Sequence, residues 1–240
     1  CNNYDMCFHN SMSKKAKELA SRYGRKSDIV EIYQDIINEN YHVSAFTNPD
    51  YPIITNDEEI QVMKWGLIPF WTKDELYAEN VRKMTYNARS ETLYQKPSFR
   101  EPIKQHRCIV PSTGYFEWRH EGDKKIPYYI YLKHEPIFSM AGIYDIWEDK
   151  KTGEVLHTFS IITTQANKLT GYIHNGGNNS QRMPAILLEK DENKWMDPKL
   201  SKDEIEDLLL PIDEHFMDAY IIKNDFLKKN PKDDSILERV

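Results

Sequence analysis

Arg107-Cys-Ile-Val110, Gly114-Tyr-Phe-Glu-Trp118, Pro127-Tyr-Tyr-Ile-Tyr-Leu132, Phe138-Ser-Met-Ala-Gly-Ile-Tyr144 and Thr158-Phe-Ser-Ile-Ile-Thr-Thr164 follow one another through the middle of the chain. Each is short, rich in β-branched and aromatic residues, and bounded by turn chemistry, which predicts a run of strands. Gly122-Asp123 and Lys151-Thr-Gly153 fall where hairpin turns are needed. Upstream, Tyr41-His-Val-Ser-Ala-Phe46, Tyr51-Pro-Ile-Ile-Thr55 and Ile60-Gln-Val-Met-Lys-Trp65 also read as extended. The flanks have a different period. Leu19, Ile29, Val30, Ile32, Ile36 and Ile37 recur at roughly helical spacing over residues 12–40, with Ser11 and Ser13 as N-cap candidates and Gly24 as a break. Residues 191–208 return to helix, interrupted at Asp197-Pro198, and the tail after Ile222 is too polar to predict an ordered element. The expected fold class is α+β: a single domain over residues 1–240 whose sheet is mixed, mostly antiparallel and partly barrel-like, flanked by helices.

Composition sets the outer limits. The chain has 240 residues, enough to bury a sizeable core, with 40% apolar and 29% charged residues. Three cysteines do not make a disulfide scaffold and fit a reducing compartment. No apolar run approaches a membrane span, and no apolar core of a signal peptide is seen near the start, so a cytoplasmic monomer without membrane contact is expected. The 32 Lys and Arg against 38 Asp and Glu give a net charge of −6, unevenly spread. Residues 82–125 hold ten basic and five acidic residues, whereas 186–240 hold nine basic and fifteen acidic ones. An acidic protein can thus own a basic face, since local field steers a polyanion, although two ordinary solvated surfaces have the same composition.

Four segments carry possible chemistry. Cys1, and Cys7 preceded by Met6, lie near the start. An N-terminal cysteine is a 1,2-aminothiol: its amine, ordinarily titrating near 7.7–8.0, condenses with an aldehyde and its thiol then closes a thiazolidine ring. By position alone such a cysteine is equally a stray thiol. Tyr86-Asn-Ala-Arg89-Ser-Glu-Thr92 is a polar cluster between apolar segments. Asn87 can donate and accept hydrogen bonds there, and Arg89 can fork onto a phosphate, or the segment is simply a capped loop. Glu117 stands among aromatics in Pro111-Ser-Thr-Gly-Tyr-Phe-Glu117-Trp118. Burial would suit its carboxyl to proton transfer, whereas alternation along a strand would turn it to solvent. His174 borders the Gly/Asn-rich stretch before Arg182-Met-Pro184 and can titrate usefully or be a plain surface histidine. The other histidines show no metal-ligand spacing, Cys108 reads as a buried small hydrophobe, and Trp65 beside Gly66 and Pro69 reads as core. No metal and no nucleotide cofactor is implied, because neither a ligand cluster nor a phosphate-binding glycine loop is present.

In this order, Met6-Cys7, Trp65-Gly-Leu-Ile-Pro-Phe-Trp71, Asn87-Ala-Arg89-Ser-Glu-Thr, Gly114-Tyr-Phe-Glu117-Trp118, Pro127-Tyr-Tyr-Ile-Tyr and His174…Arg182-Met-Pro184 closely resemble the SRAP (SOS response-associated peptidase) family, from about residue 6 to the 220s. The resemblance implies a protein that acts at abasic sites in single-stranded DNA. Its N-terminal cysteine would form a thiazolidine crosslink with the ring-opened sugar, after autoproteolysis where residues precede that cysteine. Carried over by motif, Cys7, Asn87, Glu117 and His174 would be catalytic. Asn87 would orient the amine or sugar, Glu117 would shuttle protons, and His174 would assist sugar opening. Arg89 and Arg182 would meet DNA, Arg89 at a phosphate, and Trp71 and Trp118 would offer stacking or wedge surfaces. Two departures stand out. The family's usual Cys-Gly-Arg start becomes Cys7-Phe8-His9, and the seven residues Asn175 to Gln181 lengthen the step from His174 to Arg182, a change that can either move His174 or alter which substrates fit. Cys7 is favoured over Cys1 because Ser13 follows it at the family's capping distance, leaving residues 1–6 as an extension or propeptide. The other functions these residues could serve are a thiol peptidase with Cys7 and His174, or a non-catalytic single-strand-binding module.

Overall fold

The structure is a computed structural model describing residues 8–26, 39–177 and 179–240. In chain order its strands are β1 (His9–Met12), β2 (Asn40–Ser44), β3 (Asp50–Ile53), β4 (Gln61–Trp65), β5 (Asn87–Arg89), β6 (Arg107–Ser112), β7 (Gly114–Glu121), β8 (Lys124–Leu132), β9 (Phe138–Glu148), β10 (Val155–Gln165), β11 (Arg182–Pro184), β12 (Ile186–Leu187) and β13 (Met217–Ile221). The helices are α1 (Ala16–Tyr23), α2 (Glu75–Arg82), α3 (Pro102–Gln105), α4 (Lys168–Ile173), α5 (Glu189–Met196) and α6 (Lys202–Leu208). All eight expected strand segments are strands, and the helices lie around them, so the fold is α+β with mostly antiparallel sheets.

The strands form two sheets. The first runs β13-β8-β7-β1-β2 and is antiparallel throughout. The second is built on the order β12-β9-β10-β4-β3, with β5 and β11 also paired to β10 and β6 to β9. Its two parallel pairings both involve β10, with β4 and with β5. The sheets are not closed into a barrel, contrary to the expectation. A single bridge between Ile54 and Ile109 is all that joins the β3 side to β6, and β4 pairs with β10 at only two positions, too few ladder bonds to wrap the sheet. One apolar core draws on both sheets, from Met12, Tyr115 and Ile130 to Trp65, Ile109 and Phe159. Trp65 and Cys108 are core residues as expected, at 1% and 0% exposure.

The helical expectation over 12–40 is met in part. Within the described residues, α1 occupies 16–23 and ends at Gly24 in the left-handed region; much of the remaining period falls on residues 27–38, outside the description. Neither serine caps the helix. Ser11 is in β1, and Ser13 bonds Thr113, while Glu18 takes the N–H of Lys15 at the true start. The polar tail is ordered because two apolar residues anchor it. Phe226 and Ile236 are each 1% exposed, Tyr41 donates to the Pro231 carbonyl at 2.8 Å, and Val240 donates to that of Ile221 at 3.0 Å. No helix among the described residues is long and apolar enough to cross a membrane.

Candidate functional site

Both faces of β7 are covered, and this decides what Glu117 does. Alternation puts Tyr115 and Glu117 on one face and Phe116 and Trp118 on the other. Tyr115 enters the main core, whereas Phe116 and Trp118 pack with Phe226 in a second cluster. Glu117 is therefore 1% exposed rather than turned to water. The helix α4 lies across that face, tied by Tyr115 Oη to Thr170 Oγ1 at 3.1 Å. It starts at Asn167, whose side chain accepts from the Thr170 N–H, and ends at His174.

His174 is 3% exposed, and its Nε2 lies 3.9 Å from Glu117 Oε2. Its Nδ1 is 3.0 Å from the Arg182 carbonyl oxygen, an acceptor that keeps the proton on Nδ1 and leaves the lone pair of a neutral ring on Nε2, toward Glu117. The stretch from Asn175 to Gln181 is pinned at both ends. Asn175 Oδ1 accepts from the His120 N–H at 2.8 Å and Asn175 Nδ2 donates to the His120 carbonyl at 3.0 Å. The Gln181 N–H donates to the His174 carbonyl at 2.9 Å, and its side chain donates to that of Gly171 at 2.9 Å.

Asn87, 6% exposed, reaches the region on β5, which runs parallel to β10 with Asn87 opposite Ile161 and Arg89 opposite Thr163. The same end of β10 receives β11, with Gln165 opposite Arg182. Arg89 is exposed and its guanidinium donates to Asn179 Oδ1. Arg182 is only 5% exposed; it forks onto the Glu91 carboxylate and donates to the Thr163 carbonyl at 2.7 Å. Burial alone would raise the Glu91 carboxyl, but the Arg182 guanidinium outweighs it and holds Glu91 below the usual carboxylate range. The basic stretch is likewise partly internal: Arg107 is 5% exposed and donates to the carbonyls of Ile103 and Trp195 at 2.7 and 2.8 Å.

Cys7 and Cys1 lie outside the described residues, which begin at Phe8. Phe8 packs on Phe46 and Tyr86, with ring centroids 4.9 and 5.9 Å apart, and so stands beside the residue preceding Asn87. In β1, Asn10 is opposite Tyr115, and Phe8 lies two residues before it while Glu117 lies two after Tyr115. The antiparallel register thus directs the start of β1 toward Glu117. His9, standing in the place of the family's arginine, is 4% exposed and its Nδ1 meets His42 Nε2 at 2.8 Å. Burial and the neighbouring His42 push His9 down to about 3, and burial pushes His42 down to about 4, so both rings are neutral near pH 7. Trp118 is half-buried, stacked 5.7 Å from Phe226 and edge-on to His9 at 5.1 Å. Trp71 is 39% exposed on the loop after β4, with Phe70 beside it at 58%.

The residues that the sequence alone did not single out are Phe8, Phe46 and Tyr86, Glu91 and Thr163 around Arg182, and Asn179 on Arg89. Tyr86 and Glu91 lay inside the motif around Asn87, but nothing local marked any of these residues, since each acts through a partner remote in sequence. Among the described residues no group of three or more His, Cys, Asp or Glu could hold a metal ion. Chemically, the described residues offer a buried carboxyl on β7 facing an imidazole, and, on β5 of the other sheet, a buried amide followed by an exposed guanidinium.

The profile of the SOS response associated peptidase (SRAP) family matches residues 6–228. The abasic site processing protein YoqW of Bacillus subtilis (strain 168) is 38% identical over 218 residues, which are 87% of this chain and 92% of that protein. The abasic site processing protein HMCES of Gallus gallus is 36% identical over 164 residues, 60% of this chain and 46% of that protein. The crystal structure of a protein from Bacteroides thetaiotaomicron is 64% identical, with a TM-score of 0.95 over 98% of this chain and 100% of that one.

Proposed function

The chain belongs to the SRAP family, and from that premise we propose that it processes abasic sites, joining itself covalently to the ring-opened sugar in single-stranded DNA through Cys7. The names of the relatives support the lesion. The observation that carries the chemistry is the buried Glu117–His174 pair toward which the start of β1 runs.

The proposed reaction needs Cys7 at the N-terminus, with residues 1–6 removed by autoproteolysis. The free amine of Cys7 attacks the C1′ aldehyde of the opened sugar; loss of water leaves an imine. The thiol sulfur then adds to the imine carbon, its proton passes to nitrogen, and a thiazolidine closes. The balance is aminothiol plus aldehyde going to thiazolidine plus water, with no oxidant and no metal required. Glu117 takes and returns the protons of the amine and the carbinolamine hydroxyl, where exclusion of water favours transfer. His174 assists opening of the sugar hemiacetal and exchanges a proton with Glu117. Asn87 orients the amine or the sugar with its amide. Arg89, exposed at the rim, exchanges Asn179 for a phosphate flanking the lesion. Trp71 and Trp118 give bases beside the gap a surface to stack on. Arg182, held by Glu91 and Thr163, acts by fixing β11 and the carbonyl that orients His174, instead of touching DNA itself.

The test is crosslinking on a denaturing gel to single-stranded DNA carrying one abasic site. A protein beginning at Cys1 is compared with one beginning at Cys7, and the intact mass of each is measured. A covalent band from the Cys7 protein, lost in Cys7→Ala and after addition of one residue before Cys7, is expected. Repeated turnover of a peptide that tolerates the added residue would make the protein a thiol peptidase. Binding indifferent to Cys7→Ala without any covalent band would make it a binding module.

A further inference from the structure

The loop between β4 and α2 carries two exposed aromatic side chains on a backbone that is held at alternate residues. The Ile68 N–H donates to Thr158 Oγ1 at 2.8 Å, the Phe70 N–H donates to Asp145 Oδ2 at 3.0 Å, and the Thr72 carbonyl accepts from Trp147 Nε1 at 2.8 Å. All three anchors come from the β9–β10 hairpin and are buried: Thr158 is 0% exposed, Trp147 2% and Asp145 3%. Ile68 packs with Trp147 and Ala78 beneath the loop. What remains outside is the tip, Phe70 at 58% exposure and Trp71 at 39%, the latter 6.3 Å from the Tyr77 ring.

Two exposed aromatics on a free loop would lose much of their contact energy to ordering, because each residue fixed on binding costs backbone and rotamer freedom. Here the backbone is ordered beforehand. Asp145 is central, since its bond lies at Phe70 itself, adjacent to Trp71. Its carboxylate is oriented in turn: Oδ1 accepts from the Ile146 N–H at 2.9 Å and faces His106 Nδ1 at 3.7 Å. A buried carboxylate accepting backbone N–H groups is a strong charge-assisted anchor, and such groups are satisfied only in one loop conformation.

We propose that Asp145, seconded by Thr158, is a positioning residue for DNA capture: it holds the Phe70–Trp71 tip in the conformation that meets the bases beside the lesion. The proposal rests on the reading that this tip contacts DNA. It assigns Asp145 an effect on capture of the strand and none on the covalent step, since it lies on the hairpin behind the loop and not on β7 or α4.

The test is a double-mutant cycle in the full chain. Affinity is measured for single-stranded DNA carrying a tetrahydrofuran, which has no aldehyde to crosslink; the crosslinking rate is measured at saturating DNA carrying a true abasic site. Asp145→Ala is expected to raise Kd fivefold or more, and Asp145→Asn, which keeps an oxygen for the Phe70 N–H, less than twofold. Thr158→Val, nearly isosteric, is expected to raise Kd by a smaller factor and serves if Asp145→Ala fails to fold. The saturating crosslinking rate stays within twofold in all of them. In a Phe70→Ala/Trp71→Ala background, Asp145→Ala adds less than a twofold change. If Asp145→Ala and Thr158→Val both leave Kd unchanged where the tip variant weakens binding, the assignment of Asp145 is overturned. It is overturned equally if Asp145→Ala weakens binding as much without the tip. A tip variant that binds normally overturns the reading of the tip itself, and the proposal with it.

Discussion

Glu117 Oε2 and His174 Nε2 lie 3.9 Å apart, both side chains almost wholly buried, one on the central strand of a sheet and the other at the end of a helix laid across it. That spacing is just beyond a hydrogen bond, so a small movement brings the two groups into direct hydrogen-bonding contact. Glu117→Gln keeps the shape and an acceptor oxygen but removes the base. Crosslink formation or release is expected to slow by about 10²-fold or more, the usual scale of general acid–base catalysis, with the thermal midpoint changed by only a few degrees. Unchanged kinetics in a time course would remove Glu117 from the mechanism.

The two arginines of the site should separate cleanly. Arg89 is exposed, with its guanidinium donating to Asn179, so Arg89→Ala should leave stability nearly unchanged. It should weaken single-strand binding and reduce the salt slope of log K by about one, read from titrations at several salt concentrations. Arg182→Ala instead removes the guanidinium from the Thr163 carbonyl and from Glu91, which keeps only the Gln165 amide among these donors, and is expected to cost about 1–3 kcal/mol in denaturant unfolding. A stable Arg182→Ala protein with a lowered salt slope would return Arg182 to the DNA surface.

The neutral His9–His42 pair gives stability a pH dependence whose sign follows from burial. Both folded values lie below the ordinary 6.5, at about 3 and about 4, so between these limits the unfolded chain binds more protons than the folded one. Stability from this pair is complete above pH 6.5 and falls as pH drops toward 4, by at most about 1.4 kcal/mol per pH unit for each ring. Urea unfolding at pH 7, 6, 5 and 4 should show this slope, and His42→Gln should flatten it. An equal slope in the variant would place the acid sensitivity elsewhere.

Asn175 clamps the inserted loop to β7 through both of its side-chain atoms at the His120 backbone. Asn175→Ala frees that end of the loop and the residue next to His174. Crosslinking is expected to slow several-fold while affinity for single-stranded DNA changes less than twofold. Equal losses in both would mean that the loop contacts DNA instead of holding His174.

Much was legible in the one-dimensional pattern. Period-two runs marked eight strands, Trp65 and Cys108 were recognisable as core, and the order of the Asn87, Glu117 and His174 motifs carried the family. What such patterns contain is the local preference of each segment and the chemistry of each residue type. Which strand pairs with which, and in what register, depends on contacts between segments far apart in sequence. Only the folded chain sets β5 parallel to β10, and only α4, laid across the Tyr115 face of β7, covers Glu117. The same holds for charge. A guanidinium reads alike at Arg89 and Arg182, yet Glu91 and Thr163 draw one inside while Asn179 meets the other at the surface. His9 reads as a titratable ring, and burial together with His42 across the strand pair makes it a buried neutral one. Sequence by itself determined the elements and the reacting groups; tertiary structure decided which of those groups are dry, which are paired and which face each other, because desolvation and pairing energies arise only from neighbours supplied by the fold.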